Sequence, residues 1–268
     1  MLKITLFMTF LLGLSGTVSG TSLVRTALSL QSFKCSSKTT GSCQYSECTG
    51  KVSGYSREVL ILVPENATSL RVHFHGHKLY IYPEYDKNLK SMVKAFNLAP
   101  LICSRGEVVV FPESTGKCVD YDKELTDGKS FKAFFDGIHE ASRSHLKDLP
   151  LHVSAHSGGG RTVARMLKAG YDPKAVTLFD AIYADFQRIE IKNWYTSGTG
   201  ELNLFNTAWG EPSKHAQKLI EELTLSPLAS TTKIKGQTYK VKKGTKFHFL
   251  ERNEGSGKAH MNVLTETW

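Results

Sequence analysis

The stretch Leu151-His-Val-Ser-Ala-His-Ser157-Gly-Gly-Gly-Arg161 decides how this chain is read. A short apolar segment runs into a serine, glycines follow, and the pattern then turns helical at Thr162, Val163, Met166 and Leu167. A strand that reverses into a helix over one residue needs small neighbours, because larger ones crowd the backbone. Ala155 and Gly159 hold those positions, so the segment reads as G-x-S-x-G with Ala in place of the first Gly. Such a turn lifts the serine hydroxyl clear of the sheet. It also aims the amide of Gly158, at a helix N-terminus, at any oxyanion forming on a substrate. A glycine-rich helix start can instead bind phosphate, but no Lys-Ser/Thr pair follows these glycines.

Outward from this turn, strand-like and helix-like segments alternate. Residues 57–64, 69–75, 107–111, 151–155, 174–182, 202–208 and 246–251 read as strands, several of them continuous β-branched runs suited to burial on both faces. Helical periods are expected over 87–98 (Leu89, Met92, Val93, Phe96), 130–146 with Ser130 as N-cap, 159–169 and 213–223. Residues 31–56 read as loop with at most a short strand, and 228–244 as a basic loop or hairpin. The succession implies an α/β fold with one domain, a mostly parallel central sheet and helices on both faces.

Three further segments carry chemistry. Val72-His-Phe-His75-Gly76-His77 ends a strand, and its loop is placed to give a second oxyanion donor, for which the amide of His77 is the candidate. The alternation of His73, His75 and His77 also permits a metal-binding reading, with all three on one face of a strand. Val176-Thr-Leu-Phe-Asp180-Ala-Ile-Tyr183 puts Asp180 at the carboxyl end of an apolar run, where sites form in open α/β sheets. Asp185 and Glu211 are alternative acids. His260 lies in a glycine-rich loop after the last strand, and the order Ser157, Asp180, His260 is that of a nucleophile, an orienting acid and a base. His248, inside a strand run, and His156, beside Ser157, are read as structural and supporting residues.

The ends and the composition bound the setting. Lys3, an apolar run to about Leu14 and the small residues before Gly20 form a cleaved signal peptide over 1–20, too short to span a bilayer. Residues 21–56 then make a cysteine-containing extension and 57–268 the main domain. Export makes disulfides plausible. There are five cysteines; Cys103–Cys118 is the first choice of bridge, with a second among Cys35, Cys43 and Cys48. The net charge of +9 is scattered, compatible with an acidic polymer or anionic surface as partner. No basic and aromatic interleaving suggests nucleic acid. Asn66-Ala67-Thr68 is a glycosylation sequon relevant only in a eukaryotic secretory route.

Taken together, His75-Gly76, Val109-Val-Phe-Pro-Glu113 and Ala155-His-Ser-Gly-Gly159 resemble, in order, the α/β-hydrolase superfamily, and within it secreted esterases of the feruloyl esterase and polyhydroxybutyrate depolymerase type. Phe179-Asp180-Ala-Ile-Tyr183 departs from that group and looks more like bacterial α/β-hydrolases with an Asp-Ala-Leu-Tyr motif. The resemblance implies acyl transfer through an acyl-enzyme, with no metal or organic cofactor, and names no substrate. Ester hydrolysis is the expectation. An amidase or peptidase acting on cell-wall material, a non-catalytic binding protein on the same scaffold and a metal-dependent hydrolase are the alternatives.

Overall fold

Apolar runs long enough for burial on two faces become the parallel strands of one sheet, each returned to the same end by a crossover. The computed structural model describes residues 33–76, 90, 93–94, 97–114, 120–142, 145–207, 210–224, 230–234, 237–241, 246–249, 260 and 263. The chain begins with strands β1 (Lys34–Thr40), β2 (Cys43–Gly50), β3 (Val59–Pro64) and β4 (Ser69–Phe74). It continues through α1 (Leu98–Arg105), β5 (Glu107–Pro112), α2 (Gly128–Ala141), β6 (Leu151–His156), α3 (Gly160–Lys168), β7 (Ala175–Phe179) and α4 (Asp185–Ser197). Then come β8 (Glu201–Asn206), α5 (Gly210–Thr224), the hairpin β9 (Ser230–Ile234) and β10 (Gln237–Val241), and β11 (Lys246–Phe249). The sheet order is β1-β2-β3-β5-β4-β6-β7-β8-β11. Strands β5, β4, β6, β7, β8 and β11 are mutually parallel, while β1, β2 and β3 add an antiparallel edge.

Strand alternation divides the core between the two faces. Val59, Ile61 and Val63 of β3 join Val72, Val110, Val153, Val176 and Leu204 in a cluster that takes in the apolar sides of α2, α3, α4 and α5. Leu60 and Leu62 turn the other way and pack with Val109, Phe111, Phe179, Leu98 and Ile102 of α1, and Val263. Helices therefore cover both faces, and the α/β reading with a mostly parallel sheet stands. Helix α2 shows how local sequence specifies an element. Its N-cap is Asp127, which accepts from the Ser130 amide at 2.9 Å, while the Ser130 hydroxyl accepts from the Asp127 amide at 3.0 Å. Below this capping box, Phe131, Phe134, Phe135, Ile138 and Ala141 are buried at helical spacing.

The structure corrects several expectations. Ser130 is the third helical residue of α2 and not its N-cap, which is Asp127. Residues read as loop before position 57 form the β1–β2 hairpin, hydrogen-bonded to β3 as part of the main sheet. Cys103 pairs with Cys43, not with Cys118. The reason is topological: β2, next to the edge strand β1, lies beneath α1, so this bridge fastens the hairpin to that helix. Cys35 and Cys48, direct partners across the hairpin, form the second bridge. Helices α1 and α4 were not foreseen. Residues 1–20, read as a signal peptide, lie outside the described residues, as do Cys118, Leu89, Met92 and Phe96. Among the described residues, no helix is long and apolar enough to cross a membrane.

Candidate active site

Strand β6 ends at His156, and the chain reverses at Ser157 into a single 3-10 turn, Ser157–Gly159, that leads directly into α3. Ser157 sits at φ 51°, left-handed backbone that a residue with a Cβ adopts only at a cost of about 1–3 kcal/mol. The glycines around it are explained by what surrounds the turn. A Cβ on Gly76 would overlap the Cβ of Ser157 and come 3.1 Å from its Oγ. One on Gly159 would collide with the Phe74 carbonyl, and one on Gly160 with the Ala181 carbonyl. The turn is thus wedged between the end of β4 and the loop after β7. The space that Gly76 leaves is taken by Ser157 itself.

Asp180 follows β7 directly, also left-handed at φ 43° and fully buried. Its Oδ1 accepts from the Thr207 amide at 2.7 Å and its Oδ2 from the Thr207 hydroxyl at 2.7 Å. The Asp180 amide donates to the Phe205 carbonyl at 2.9 Å, which ties the loop to the end of β8. His260 brings its Nδ1 to Oδ2 at 3.1 Å. A carboxylate can only accept, so Nδ1 carries the proton and Nε2 keeps the basic lone pair. The alternatives to Asp180 are engaged elsewhere: Asp185 pairs with Arg188 at 3.0 Å, and Glu211, exposed in the first turn of α5, pairs with Lys214 at 2.7 Å.

His156 reaches across to His260. Its Nε2 lies 2.9 Å from the His260 carbonyl, and the two rings are 4.6 Å apart between centroids. The carbonyl accepts, so His156 is protonated at Nε2. Burial, and then the proximity of His260, hold its pKa well below the usual histidine value. A neutral His156 therefore ties the segment bearing His260 to the residue just before Ser157.

His73 on β4 and His75 just beyond it are each engaged. His73 places Nδ1 2.9 Å from the Ser154 hydroxyl, and burial keeps its pKa well below the usual range. His75 accepts at Nε2 from the Ser114 amide at 3.2 Å and directs Nδ1 to the Gly76 carbonyl at 3.1 Å. Among the described residues, no three His, Cys, Asp or Glu side chains are grouped so as to hold a metal ion. His77, expected to supply an oxyanion donor, lies outside the described residues. Gly158, its expected counterpart, occupies the first turn after Ser157.

Two residues given no role in the sequence reading contribute to this site. Thr207 holds both oxygens of Asp180. Tyr183 places its phenol oxygen 3.2 Å from Ser157 Oγ. The second was signalled, since Tyr183 closes the Asp180-Ala-Ile-Tyr segment singled out above. The first had no signal, because the contact needs β8 to lie beside β7. Together, the ends of β4, β6, β7 and β8 gather a strained serine, a buried carboxylate–histidine pair and a phenol at one edge of the sheet. These are the residue types that acyl transfer uses: an alcohol, an imidazole and a carboxylate that orients it.

Comparisons with known proteins bear on the fold. No protein-family model and no curated protein matches the sequence. Among solved structures, the chain is similar to TT1662 from Thermus thermophilus, at 12% identity over 88% of this chain and 100% of that one, with a TM-score of 0.52. It is similar to the rice cell wall degrading esterase LipA from Xanthomonas oryzae, at 13% identity over 85% and 90%, with a TM-score of 0.52. It is also similar to the zinc-bound form of a cold-adapted esterase from an Arctic intertidal metagenomic library, at 12% identity over 88% and 100%, with a TM-score of 0.50. At such identities the likeness speaks for the fold alone, and that fold is the α/β-hydrolase fold expected from the sequence.

Proposed function

We propose that this chain is a secreted serine hydrolase that cleaves a carboxylic ester through an acyl-enzyme. The observation that carries the reading is the Asp180–His260 pair at 3.1 Å. It joins residues 80 positions apart at the sheet edge where Ser157 occupies its strained turn. The esterases among the structures of similar fold favour this chemistry over others the scaffold can host.

In this reading Ser157 Oγ attacks the ester carbonyl, and His260 Nε2 takes its proton. A tetrahedral oxyanion forms, facing the amide of Gly158 and, as expected from the sequence, that of His77. Each such donor is worth roughly 3 kcal/mol. His260 then returns the proton to the departing alcohol, leaving the acyl group on Ser157, and activates the water that removes it. Asp180 fixes the tautomer of His260 and stabilises its protonated form. Export rests on the expected signal peptide, with which the two disulfides are compatible.

Intact-mass analysis after treatment with a fluorophosphonate tests the reading. One adduct on the wild type and none on Ser157→Ala is the expected result, together with p-nitrophenyl acetate turnover that a chelator leaves unchanged. Folded wild-type protein that takes up no label would remove the proposal, and turnover abolished by a chelator would favour the histidines of β4.

A further inference from the structure

We infer that the Tyr183 phenol is a catalytic hydrogen-bond donor to the seryl oxygen, acting chiefly when the acyl-enzyme is hydrolysed; the assignment rests on the serine-hydrolase reading above. Tyr183 Oη lies 3.2 Å from Ser157 Oγ. A phenol is a far stronger acid than an alcohol, so the phenol donates and Ser157 keeps its own proton for the base.

The placement is built from several directions. The Tyr183 amide donates to Gln187 Oε1 at 2.7 Å, and Gln187 Nε2 donates to the Ala181 carbonyl at 3.2 Å. Gln187 is almost fully buried, and it spends both ends of its amide on this loop. Ala181 and Ile182 are fully buried, and Gly160 at the start of α3 packs against the Ala181 carbonyl. The loop carrying the phenol and the turn carrying the serine are therefore packed against each other. Strand β6 lies between β4 and β7. Gly76 flanks the seryl oxygen from the β4 side, where His77, one of the two expected oxyanion donors, follows in the chain, and Tyr183 flanks it from the β7 side. The phenol is thus placed for the seryl oxygen and not for the oxyanion.

That position decides which step it helps. An interaction already present in the resting enzyme and no stronger in the transition state does not speed the step that starts there. Acylation starts with the Tyr183–Ser157 bond made. In the acyl-enzyme, Oγ is an ester oxygen and a poor acceptor. Water then attacks the acyl carbon, giving a proton to His260 Nε2. As the tetrahedral intermediate collapses, the C–Oγ bond breaks, the electron pair returns to Oγ, and Oγ takes that proton from His260. The phenol bond strengthens as charge returns to Oγ, so it lowers the barrier to deacylation; the phenol proton stays on Tyr183.

Stopped-flow burst kinetics with p-nitrophenyl acetate separate the two steps in wild type and Tyr183→Phe, with fluorophosphonate labelling of both proteins alongside. In Tyr183→Phe, deacylation is expected to slow about ten- to hundredfold, as for loss of a hydrogen bond to a charged group. Acylation and labelling should slow by less, since the resting enzyme already makes the bond to the neutral hydroxyl, and KM should fall. Loss of labelling or of acylation in the variant would overturn the assignment, and so would an unchanged deacylation rate. A wild type that takes no label overturns the serine-hydrolase reading itself, which separates the two failures.

Discussion

Two buried carboxylates in this sheet each hold a histidine by its Nδ1, and they sit at opposite ends of the strands. Asp180 meets His260 at 3.1 Å beyond the end of β7; Glu107 meets His152 at 3.0 Å where β5 and β6 begin. Distance and burial do not separate them, since both carboxylates are at most 4% exposed. Their other partners do. Glu107 receives Arg71 through two bonds, at 2.8 and 2.6 Å, and Arg71 also reaches the Thr177 hydroxyl at 3.3 Å. Burial pushes the Glu107 carboxyl up, but the bonds from His152 and Arg71 and the Arg71 charge outweigh it and hold the pKa at about 2. Among the described residues, Asp180 has the amide and hydroxyl of Thr207 besides its histidine, on left-handed backbone beside a strained serine. A guanidinium neutralises one carboxylate and makes its pair an anchor. Neutral donors accompany the other, an arrangement that suits the proposed role of His260 as a base that becomes a cation.

Removing each carboxylate should break this comparison in opposite currencies. Asp180→Asn is expected to lower kcat by about 10⁴, through loss of the Nε2-basic tautomer, with little change in unfolding by urea. Glu107→Gln should instead leave kcat of the folded protein unchanged. Its cost falls on stability, at about 3–5 kcal/mol, because Arg71 is left buried without its counter-charge. The double variant Arg71→Met/Glu107→Gln should recover much of that loss, whereas no partner change should rescue Asp180→Asn.

What could be read in advance follows the same division. The turn at Ser157 left a local signature, because Gly159 and Gly160 are forced by carbonyls that any such turn must pass. Asp180 and His260 were legible from strand ends and chain order. Tyr183 was marked by the Asp180-Ala-Ile-Tyr segment but its contact with Ser157 was not, since it needs the ends of β6 and β7 side by side, and Thr207 had no signal because its contact needs β8 beside β7. Helix α4 escaped because its buried side carries Gln187 and Arg188 while Phe186 and Ile189 face outward, which scrambles the apolar period. The β1–β2 hairpin escaped because β1 is an exposed edge strand with no apolar alternation to read. The Cys43–Cys103 bridge needed the sheet order that sets β2 beneath α1.

Smaller effects sharpen the contrast. Thr207→Val removes the hydroxyl bond to Asp180 Oδ2 and keeps the amide bond, so kcat should fall about tenfold with KM unchanged. Weaker again is the response of stability to pH. His73 and His156 are held neutral with pKa values well below 6.5, chiefly by burial. The unfolded chain binds those protons near 6.5 and the folded one does not. Stability should therefore be level above about pH 7 and fall as pH drops below 6.5, by at most about 1.4 kcal/mol per pH unit for each histidine. The share owed to Glu107 remains in full above 4.5 and fades only as pH falls toward 2. Urea midpoints measured from pH 8 to pH 2 check both signs.

Fluorophosphonate labelling rates of wild type, Asp180→Asn and Glu107→Gln, measured side by side at a temperature where all three are folded, test the central claim most directly. The expected result is a single adduct on Ser157, formed at least about a thousandfold more slowly in Asp180→Asn and at the wild-type rate in Glu107→Gln. An adduct elsewhere, or equal slowing by the two substitutions, would contradict the assignment of one pair to chemistry and the other to anchoring the sheet.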